Sequence, residues 1–445
     1  MEAIKLLKDV INENLCCGCG GCMGICPSGA LSIVSREEKR HEPVLYEEKC
    51  IGCNLCYKIC PGKGWKPVAY AKELCERENI SFDSLYGPVK GYFLGKSQND
   101  GIALAGASGG IGTSLLLYLL DHNIVDSVIT VGMENGIPKV RVTNDRQLVM
   151  NAAGSKYSPV SVMDKAIKTL RTNTKRMAIT VIPCQMAALE NAIRSEKIRR
   201  DLIYTIGLFC GDVKDYVSVE QVAKSMGLYE KSEYEFLGWR YGIWPGKASF
   251  RLKRGGEEYG KRLQRWLGIS KPCYTLARCL MCPSRENWLA DIALADNHRG
   301  QTDETVIVAR TAKGLEMLRN AQENGLIRLR EIEYSREESF EVSLTKYTVA
   351  LVLIKHMRKH GRPFPQYDYD EKLYLSRANH LSRIISWLKN IMFLAVRNKY
   401  IKGFLERHPR VMEYTGFFIN RFPVDISMYR LMRELKKSFQ NSGHT

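Results

Sequence analysis

No apolar stretch in this 445-residue chain approaches the roughly 18–20 residues that cross a bilayer. Its opening, MEAIKLLKDVINEN, alternates charged and apolar side chains and lacks the apolar centre of a secretory leader. Both absences predict a reducing, cytoplasmic setting. With 36 glycines and 15 prolines there is no collagen-like or low-complexity bias. At 45% hydrophobic and 26% charged residues the chain can build a core without metals, which excludes disorder and a small disulfide scaffold. No HExxH pattern or other His/Asp/Ser constellation marks a hydrolytic site, and His298 reads as a surface residue in a polar turn. Acidic residues are the short supply: 48 against 66 Lys and Arg, for a net charge of +18. Lys346 to Thr445 hold 19 basic and 7 acidic residues, and the other 345 hold 47 and 41. An excess confined to the tail, with no basic reader motif, argues against nucleic acid.

What the chain does have is cysteine, 15 residues of it, nine of them between Cys16 and Cys60. In a reducing setting such crowding points to metal ligation, not disulfides. Cys16, Cys19, Cys22 and Cys26-Pro27 fit C-x2-C-x2-C-x3-C-P, and Cys50, Cys53, Cys56 and Cys60-Pro61 repeat it. This is the bacterial ferredoxin frame for [4Fe-4S] clusters, in which the fourth cysteine ligates the other cluster. Cys16, Cys19, Cys22 and Cys60 are therefore expected to hold one cluster, and Cys50, Cys53, Cys56 and Cys26 the second. A zinc site would want separated pairs and four ligands in all. Cys17 is left over as a bystander, and Cys75 has no partner signal. Cys184 and Cys210 end apolar, strand-like runs, and Cys279-Leu-Met-Cys282-Pro283 is a further pair. Those four could hold a third cluster or simply be buried structural cysteines, with Cys273 a substitute ligand.

The loop Gly106-Ala-Ser108-Gly109-Gly110-Ile-Gly112-Thr113 opens the helical run Ser114–Asp121. Glycines ahead of a helix leave backbone N–H groups facing an anion. The spacing also fits a short-chain dehydrogenase loop, with Asp126 twenty residues beyond Gly106. Asp126, however, precedes the strand-like Ser127–Val131 instead of ending it, and no Tyr-x-x-x-Lys pair follows. A phosphate-bearing cofactor other than nicotinamide, or a plain tight turn, is the expectation.

Five motifs in order, between about Tyr86 and Glu333, resemble the coenzyme F420 hydrogenase/dehydrogenase beta subunit family. They are Ala107-Ser-Gly-Gly-Ile-Gly-Thr-Ser-Leu-Leu-Leu-Tyr-Leu-Leu120, Ala153-Gly-Ser-Lys-Tyr157, Ile182-Pro-Cys-Gln185, Gly207-Leu-Phe-Cys210, and Cys279-Leu-Met-Cys-Pro283 with Leu289-Ala-Asp-Ile292. The resemblance implies FAD and a [4Fe-4S] cluster on this domain, with hydride exchanged with coenzyme F420. It places cluster ligands on Cys184, Cys210, Cys279 and Cys282. Flavin contacts fall on Ser108, Gly109, Gly110, Thr113, Gly154, Ser155, Lys156, Tyr157, Pro183 and Gln185. Lys156 would pair with a cofactor anion or else face solvent. Chlorophyll-pathway reductases share the frame and draw on ferredoxin, so a ferredoxin-driven reductase or a flavin-free relay subunit are the rival readings. Where the family commonly has Gly-Asp, the chain reads Ala293-Leu-Ala-Asp-Asn-His-Arg-Gly300, which bears on substrate.

The expected fold is α/β: an α+β ferredoxin-like domain over 1–70, a mixed-sheet flavin domain over 86–345 and a basic helical extension over 346–445. Strands are expected at Gly91–Leu94, Ser127–Val131, Val140–Val142, Met177–Ile182 and Leu202–Phe209, with Tyr234–Arg251 and Asp291–Ala309 strand-rich and Pro61–Pro67 a turn-rich exit. Helices are expected at Leu351–His360, Leu381–Val396 and Met428–Phe439, broken at Gly361–Pro365, Pro409 and Pro423. In the middle one Leu381, Ile384, Ile385, Leu388, Met392 and Ala395 form the apolar stripe, with Arg383 and Lys389 outside. That stripe would pack on its own domain, or serve a redox partner subunit or an anionic membrane surface.

Overall fold

The computed structural model describes residues 3–421, apart from 34–40, 135–136, 173–174, 197, 298–302, 334–337, 379 and 397. Eight strands form one mixed sheet in the order Ile327–Glu331, Gly91–Ser97, Thr305–Ala309, Ile292–Asp296, Ile203–Leu208, Met177–Val181, Ser127–Glu134, Ile137–Thr143. Met177–Val181 and Ile203–Leu208 are almost wholly buried, as central parallel strands covered on both faces must be. The outer strand Ile137–Thr143 carries Lys139 and Arg141 instead, which blunts the sheet edge. The expected α/β class with a mixed sheet is what forms.

Strand direction decides where chemistry can gather. Ser127–Glu134, Met177–Val181, Ile203–Leu208 and Ile292–Asp296 pair in parallel. Gly91–Ser97 runs the same way, because two antiparallel pairings separate it from Ile292–Asp296. The carboxyl ends of five strands therefore lie along one edge. The glycine-rich loop follows the first, Pro183–Gln185 the third, Cys210 the fourth, and Asp296 ends the fifth. This is the edge at which open α/β sheets bind ligands.

The N-terminal module docks beside that edge. Its two cysteine loops share a backbone trace: Gly18 and Gly52 lie at φ +68° and +71°, and Gly20 and Asn54 at +81° and +62°. Gly20 is also boxed in, since a Cβ there would stand 2.7 Å from that of Ser161. Backbone and side-chain bonds stitch the seam. Met163 N donates to Cys19 O (2.9 Å), Arg171 Nη1 to Ile25 O (3.0 Å) and Asn191 Nδ2 to Ile59 O (3.1 Å). The exit Pro61–Pro67 is a turn only briefly. Gly64–Trp65 pairs in parallel with Gln366–Tyr367, and Pro67, suited to a first helical position, opens the helix Pro67–Glu78.

Tyr234–Tyr241, Lys247–Leu252 and Glu258–Arg262 form a separate antiparallel sheet over an aromatic core with Trp239 and Trp266. C-terminal helices span Glu338–Lys359, His380–Ala395, Lys399–Arg407 and Pro409–Arg421. Met428–Phe439, Pro423 and His298 lie outside the described residues. One expectation is corrected. His380–Ala395 buries Ile385, Ser386, Asn390 and Phe393, while Ile384, Leu388 and Ala395 are exposed together with Trp387, Ile391 and Leu394. The packed side follows the neighbouring helix, where Asn390 Nδ2 donates to Val349 O (3.1 Å), and not the most apolar stripe. Among the described residues no helix is long and apolar enough to cross a membrane.

His41 bonds Ser161 Oγ across the seam (2.6 Å), and burial depresses its pKa to about 4. A depressed histidine is bound neutral, so its contribution is complete above pH 6.5 and is lost as pH falls toward 4. Between pH 6.5 and 5 the wild type should lose about 1.4 kcal/mol of stability per unit more than His41→Gln, measured by anaerobic denaturant unfolding.

Candidate redox centre

Of the fifteen cysteines only Cys53 is exposed, and twelve of the fifteen, Cys53 among them, sort into three sets of four. Cys22 feels Cys16 and Cys60 and, more weakly, Cys56, and Cys19 also feels Cys60. Cys56 faces Cys26, Cys53 and Cys50. The fourth cysteine of each frame thus lies among the first three of the other. Backbone N–H groups point at the sulfurs: Gly18 N to Cys16 Sγ (3.4 Å), Gly21 N to Cys19 Sγ (3.5 Å) and Ala30 N to Cys26 Sγ (3.3 Å). Such donors stabilise thiolate, not thiol.

The two sets differ in burial. The first surrounds a cavity lined by Cys16, Cys19, Cys22 and Cys60 with Leu6, Val10 and Ile59. The second lies at the surface: Cys53 is exposed, Ile51 is 67% exposed, and a side chain at Gly52 would meet nothing.

Cys184, Cys210, Cys279 and Cys282 form the third set. Cys184 faces Cys210 and Cys282, and Cys279 faces the same pair. Burial pushes Cys279 and Cys60 up to about 12 and Cys56 to about 11. Thiols so disfavoured as anions need a local positive charge to ionise, which a polynuclear iron core supplies. Among the described residues no three His, Cys, Asp or Glu side chains converge as a single metal ion would require. The donor chemistry fits iron–sulfur clusters.

Three residues that sequence reasoning passed over complete this region. Lys346, the first residue of the basic extension, donates to Cys210 O (2.6 Å) and Ser284 O (2.7 Å). Lys214 is fully buried, paired with Asp212, and its backbone N bonds Tyr157 O (2.7 Å), linking the third set to the glycine-rich side. Arg278 reaches from beside Cys279 to the carbonyls after Cys60. Nothing in a lone Lys or Arg signalled these roles. Cys273 sits in the aromatic core, and Cys75 donates to Ser81 O (3.7 Å), which suits structural roles.

The glycine-rich loop is tied to its strand by Ser97 N to Gly109 O (2.7 Å). Gly109 and Gly110 lie at φ +59° and +73°, and a Cβ at Gly110 would strike Ile102 O at 2.6 Å. Only glycine fits there. Gly110 caps the helix Ile111–Asp121 without any side-chain hydrogen bond, so the N–H groups of the first turn, including Thr113, are left to an anion. Ser108 O accepts from Thr305 Oγ1 (2.5 Å). Gly154 closes against the same loop, its added Cβ lying 3.3 Å from Ala105 O. Arg240, from the separate sheet, binds the loop to the strand end through Ala107 O (3.0 Å) and Asp296 Oδ2 (2.5 Å). Ser155 and Arg240 both hydrogen-bond Tyr157, whose ring meets Trp239 and Trp266.

Two expected contacts are otherwise engaged. Lys156 donates to the carbonyls of Ala152, Ala153 and Gly154 (2.5, 2.8 and 3.0 Å), capping the helix Arg146–Asn151 instead of facing solvent. Burial lowers its pKa to about 8. Gln185 accepts from Ile182 N and donates to Val160 O, beside Pro183 at the helix start. Asp126 accepts from Arg176 N, a strand-start bond and not a ribose contact.

Residues 92–168 and 174–335 match the N-terminal and C-terminal models of the coenzyme F420 hydrogenase/dehydrogenase beta subunit, which together cover over half the chain. This chain belongs to that family. Residues 9–64 match a 4Fe-4S dicluster domain. Curated relatives include the coenzyme F420-dependent sulfite reductase of Methanocaldococcus jannaschii, 25% identical over 74% of this chain and 50% of its own length. The F420-dependent formate dehydrogenase subunit beta of the same organism is 25% identical over 60% and 68%. The coenzyme F420 hydrogenase subunit beta of Methanothermobacter thermautotrophicus is 26% identical over 56% and 86%. The chain therefore spans about half the length of the sulfite reductase it matches. A chain of the F420-reducing [NiFe] hydrogenase complex from Methanosarcina barkeri superposes with a TM-score of 0.54 at 20% identity, covering 65% of this chain and 100% of that one, and shares the fold.

Because Arg240 joins loop, hairpin and strand end, Arg240→Met should free the glycine-rich loop. Amide exchange across Gly106–Thr113 is expected to rise about tenfold, read by hydrogen-exchange mass spectrometry.

Proposed function

We propose that this chain is an oxidoreductase that moves electrons between reduced coenzyme F420 and an acceptor, using FAD and three [4Fe-4S] clusters. The observation that carries the reading is the proximity of these groups: Lys214 N bonds Tyr157 O (2.7 Å), Lys214 lies within electrostatic reach of Cys210 and Cys279, Cys17 joins Cys184 to Cys19, and Cys22 is within electrostatic reach of Cys56. When bound, a flavin supplies the conversion of a two-electron hydride into single electrons, and thiolate-held clusters supply one-electron steps.

The chain's own residues then have defined tasks. The helix start at Gly110–Thr113 binds the flavin pyrophosphate through backbone N–H groups. Arg240 fixes the loop, and the aromatic wall of Tyr157, Trp239 and Trp266 excludes water. Cys184, Cys210, Cys279 and Cys282 hold the central cluster, and Lys346 offsets its negative charge. Cys16, Cys19, Cys22 and Cys60 hold the inner ferredoxin cluster, and Cys50, Cys53, Cys56 and Cys26 the outer one. The exposure of Ile51 and Cys53 makes the outer loop the docking point for a redox partner subunit or ferredoxin.

Anaerobic titration tests this reading. Reduced coenzyme F420 should bleach the flavin and cluster absorbance together. A flavin reduced by ferredoxin and untouched by coenzyme F420 would instead make the chain a ferredoxin-driven reductase. Cys184→Ser should lower bound iron by about a third, from twelve atoms to eight, following the four-iron stoichiometry of each cluster.

The C-terminal helices give a second contact surface. Ile384, Trp387, Leu388, Ile391 and Leu394 are exposed, as are Arg383, Lys399, Arg407 and Arg410. The acids nearby turn inward, Glu413 to Lys261 and Arg265, and Glu406 to Tyr274. Exposed apolar side chains on one helix with exposed basic ones on it and on the two helices that follow fit an anionic lipid surface. Co-sedimentation with phosphatidylglycerol vesicles but not phosphatidylcholine vesicles, weakened severalfold by Trp387→Ala, is the expected outcome.

A further inference from the structure

Arg278 is buried to 2% exposure, yet no carboxylate pairs with it among the described residues. Its Nε donates to Gly62 O (3.0 Å) and its Nη2 to Pro61 O (2.8 Å), the two residues after Cys60. Its own neighbour in sequence is Cys279. One guanidinium thus bridges the segment that ends the inner ferredoxin set and the segment that begins the central pair. Its Nη1 is buried and meets no acceptor at hydrogen-bonding distance among the described residues. The groups facing the charge are the Tyr367 hydroxyl, Cys282, Cys17 and Cys184. A buried cation without an anion is costly, by several kcal/mol even after relaxation. Cys184 and Cys282 belong to the central set, Cys60 of the inner set also feels the charge, and Cys17 belongs to neither.

Cys17 shows how close those sets are. Its buried thiol touches Cys19 of the inner set and Cys184 of the central set. A single side chain separates them.

We propose that Arg278 is the shared counter-ion of the inner and central clusters, and that it sets the driving force for the electron that passes between them. The inference rests on the cluster assignment above. Cys184, Cys210, Cys279 and Cys282 would hold one centre and Cys16, Cys19, Cys22 and Cys60 the other, and such clusters would supply one-electron exchange in which one centre loses the electron the other gains. No bond forms or breaks and no proton moves. A positive charge with a free N–H beside a cluster favours its reduced, more negative state. Arg278 is accordingly a positioning and tuning residue. The outer cluster, at the surface and far along the series, lies beyond its reach.

That asymmetry supplies the test. Redox titration of the intact holoprotein, followed by electron paramagnetic resonance, reads each centre separately. Arg278→Gln should lower the reduction equilibrium of the inner and central centres about tenfold, equivalent to 59 mV for one electron, and leave the outer centre in place. Arg278→Lys keeps the charge and should restore most of the shift. Bound iron and acid-labile sulfide should match the wild type. Unchanged potentials in a fully loaded Gln variant would overturn the proposal, as would an equal shift of all three centres. Loss of iron in both variants would assign Arg278 a purely structural role and overturn it too. If the cluster assignment itself is wrong, the wild type will hold fewer than three four-iron centres, a result separate from any variant.

Discussion

The seam between the cysteine loops and the strip Pro159–Met163 is the constraint on which the rest depends. Gly18 and Gly20 lie at positive φ with no room for a side chain, because Pro159 and Ser161 press against them. The same strip continues through Val160, whose carbonyl is held by Gln185 one residue past Cys184. The backbone that presents Cys19 is thereby locked to the backbone that presents Cys184. Electron transfer between buried centres requires such fixed closeness. A flexible tether between two modules would not provide it, and here packing of the densely filled kind found in protein interiors does.

Much of this was legible in the sequence, for definite reasons. The C-x2-C-x2-C-x3-C-P spacing is dictated by how a short loop wraps a cube, so the 4Fe-4S dicluster domain matched over residues 9–64 was legible from spacing alone. Apolar runs such as Met177–Val181 declared themselves as central strands because a parallel strand must be covered on both faces. The third set was different. Its members lie up to 98 positions apart, Cys184 to Cys282, and only the family motifs connected them. The motif Leu289-Ala-Asp-Ile292 proves to be scaffold. Asp291 accepts from Thr205 N and Oγ1 (2.8 Å each) and pairs with Arg200 at the opposite end of the strand from the site.

What the sequence hid were single residues whose meaning comes from folding. Arg240 arrives from a separate sheet to clamp Ala107 and Asp296, and Lys346 anchors the basic extension beneath Cys210 and Ser284. Periodicity could not anticipate either, because each acts across more than fifty residues of chain. Helix His380–Ala395 makes the same point in reverse. Its strongest apolar stripe lost the interior to a mixed face, since Asn390 finds the Val349 carbonyl there and Ser386 is fully buried. Hydrophobic pattern ranks candidate faces, and complementarity to the neighbour chooses among them.

The excess of positive charge takes on a different meaning in this light. Part of the +18 is internal: Lys214, Arg278 and Lys346 lie around the central cysteines and are not available to an outside polyanion. A four-thiolate site with an oxidised cluster carries about −2, so each site so filled would oppose roughly two of the positive charges. Burial raises the cost of each unpaired ion, and the cations and thiolates therefore have to be placed together. The gradient of exposure then orders the path. Where the cations are densest the cysteines are buried, and where Cys53 and Ile51 meet solvent no lysine or arginine side chain is bonded to the loop among the described residues.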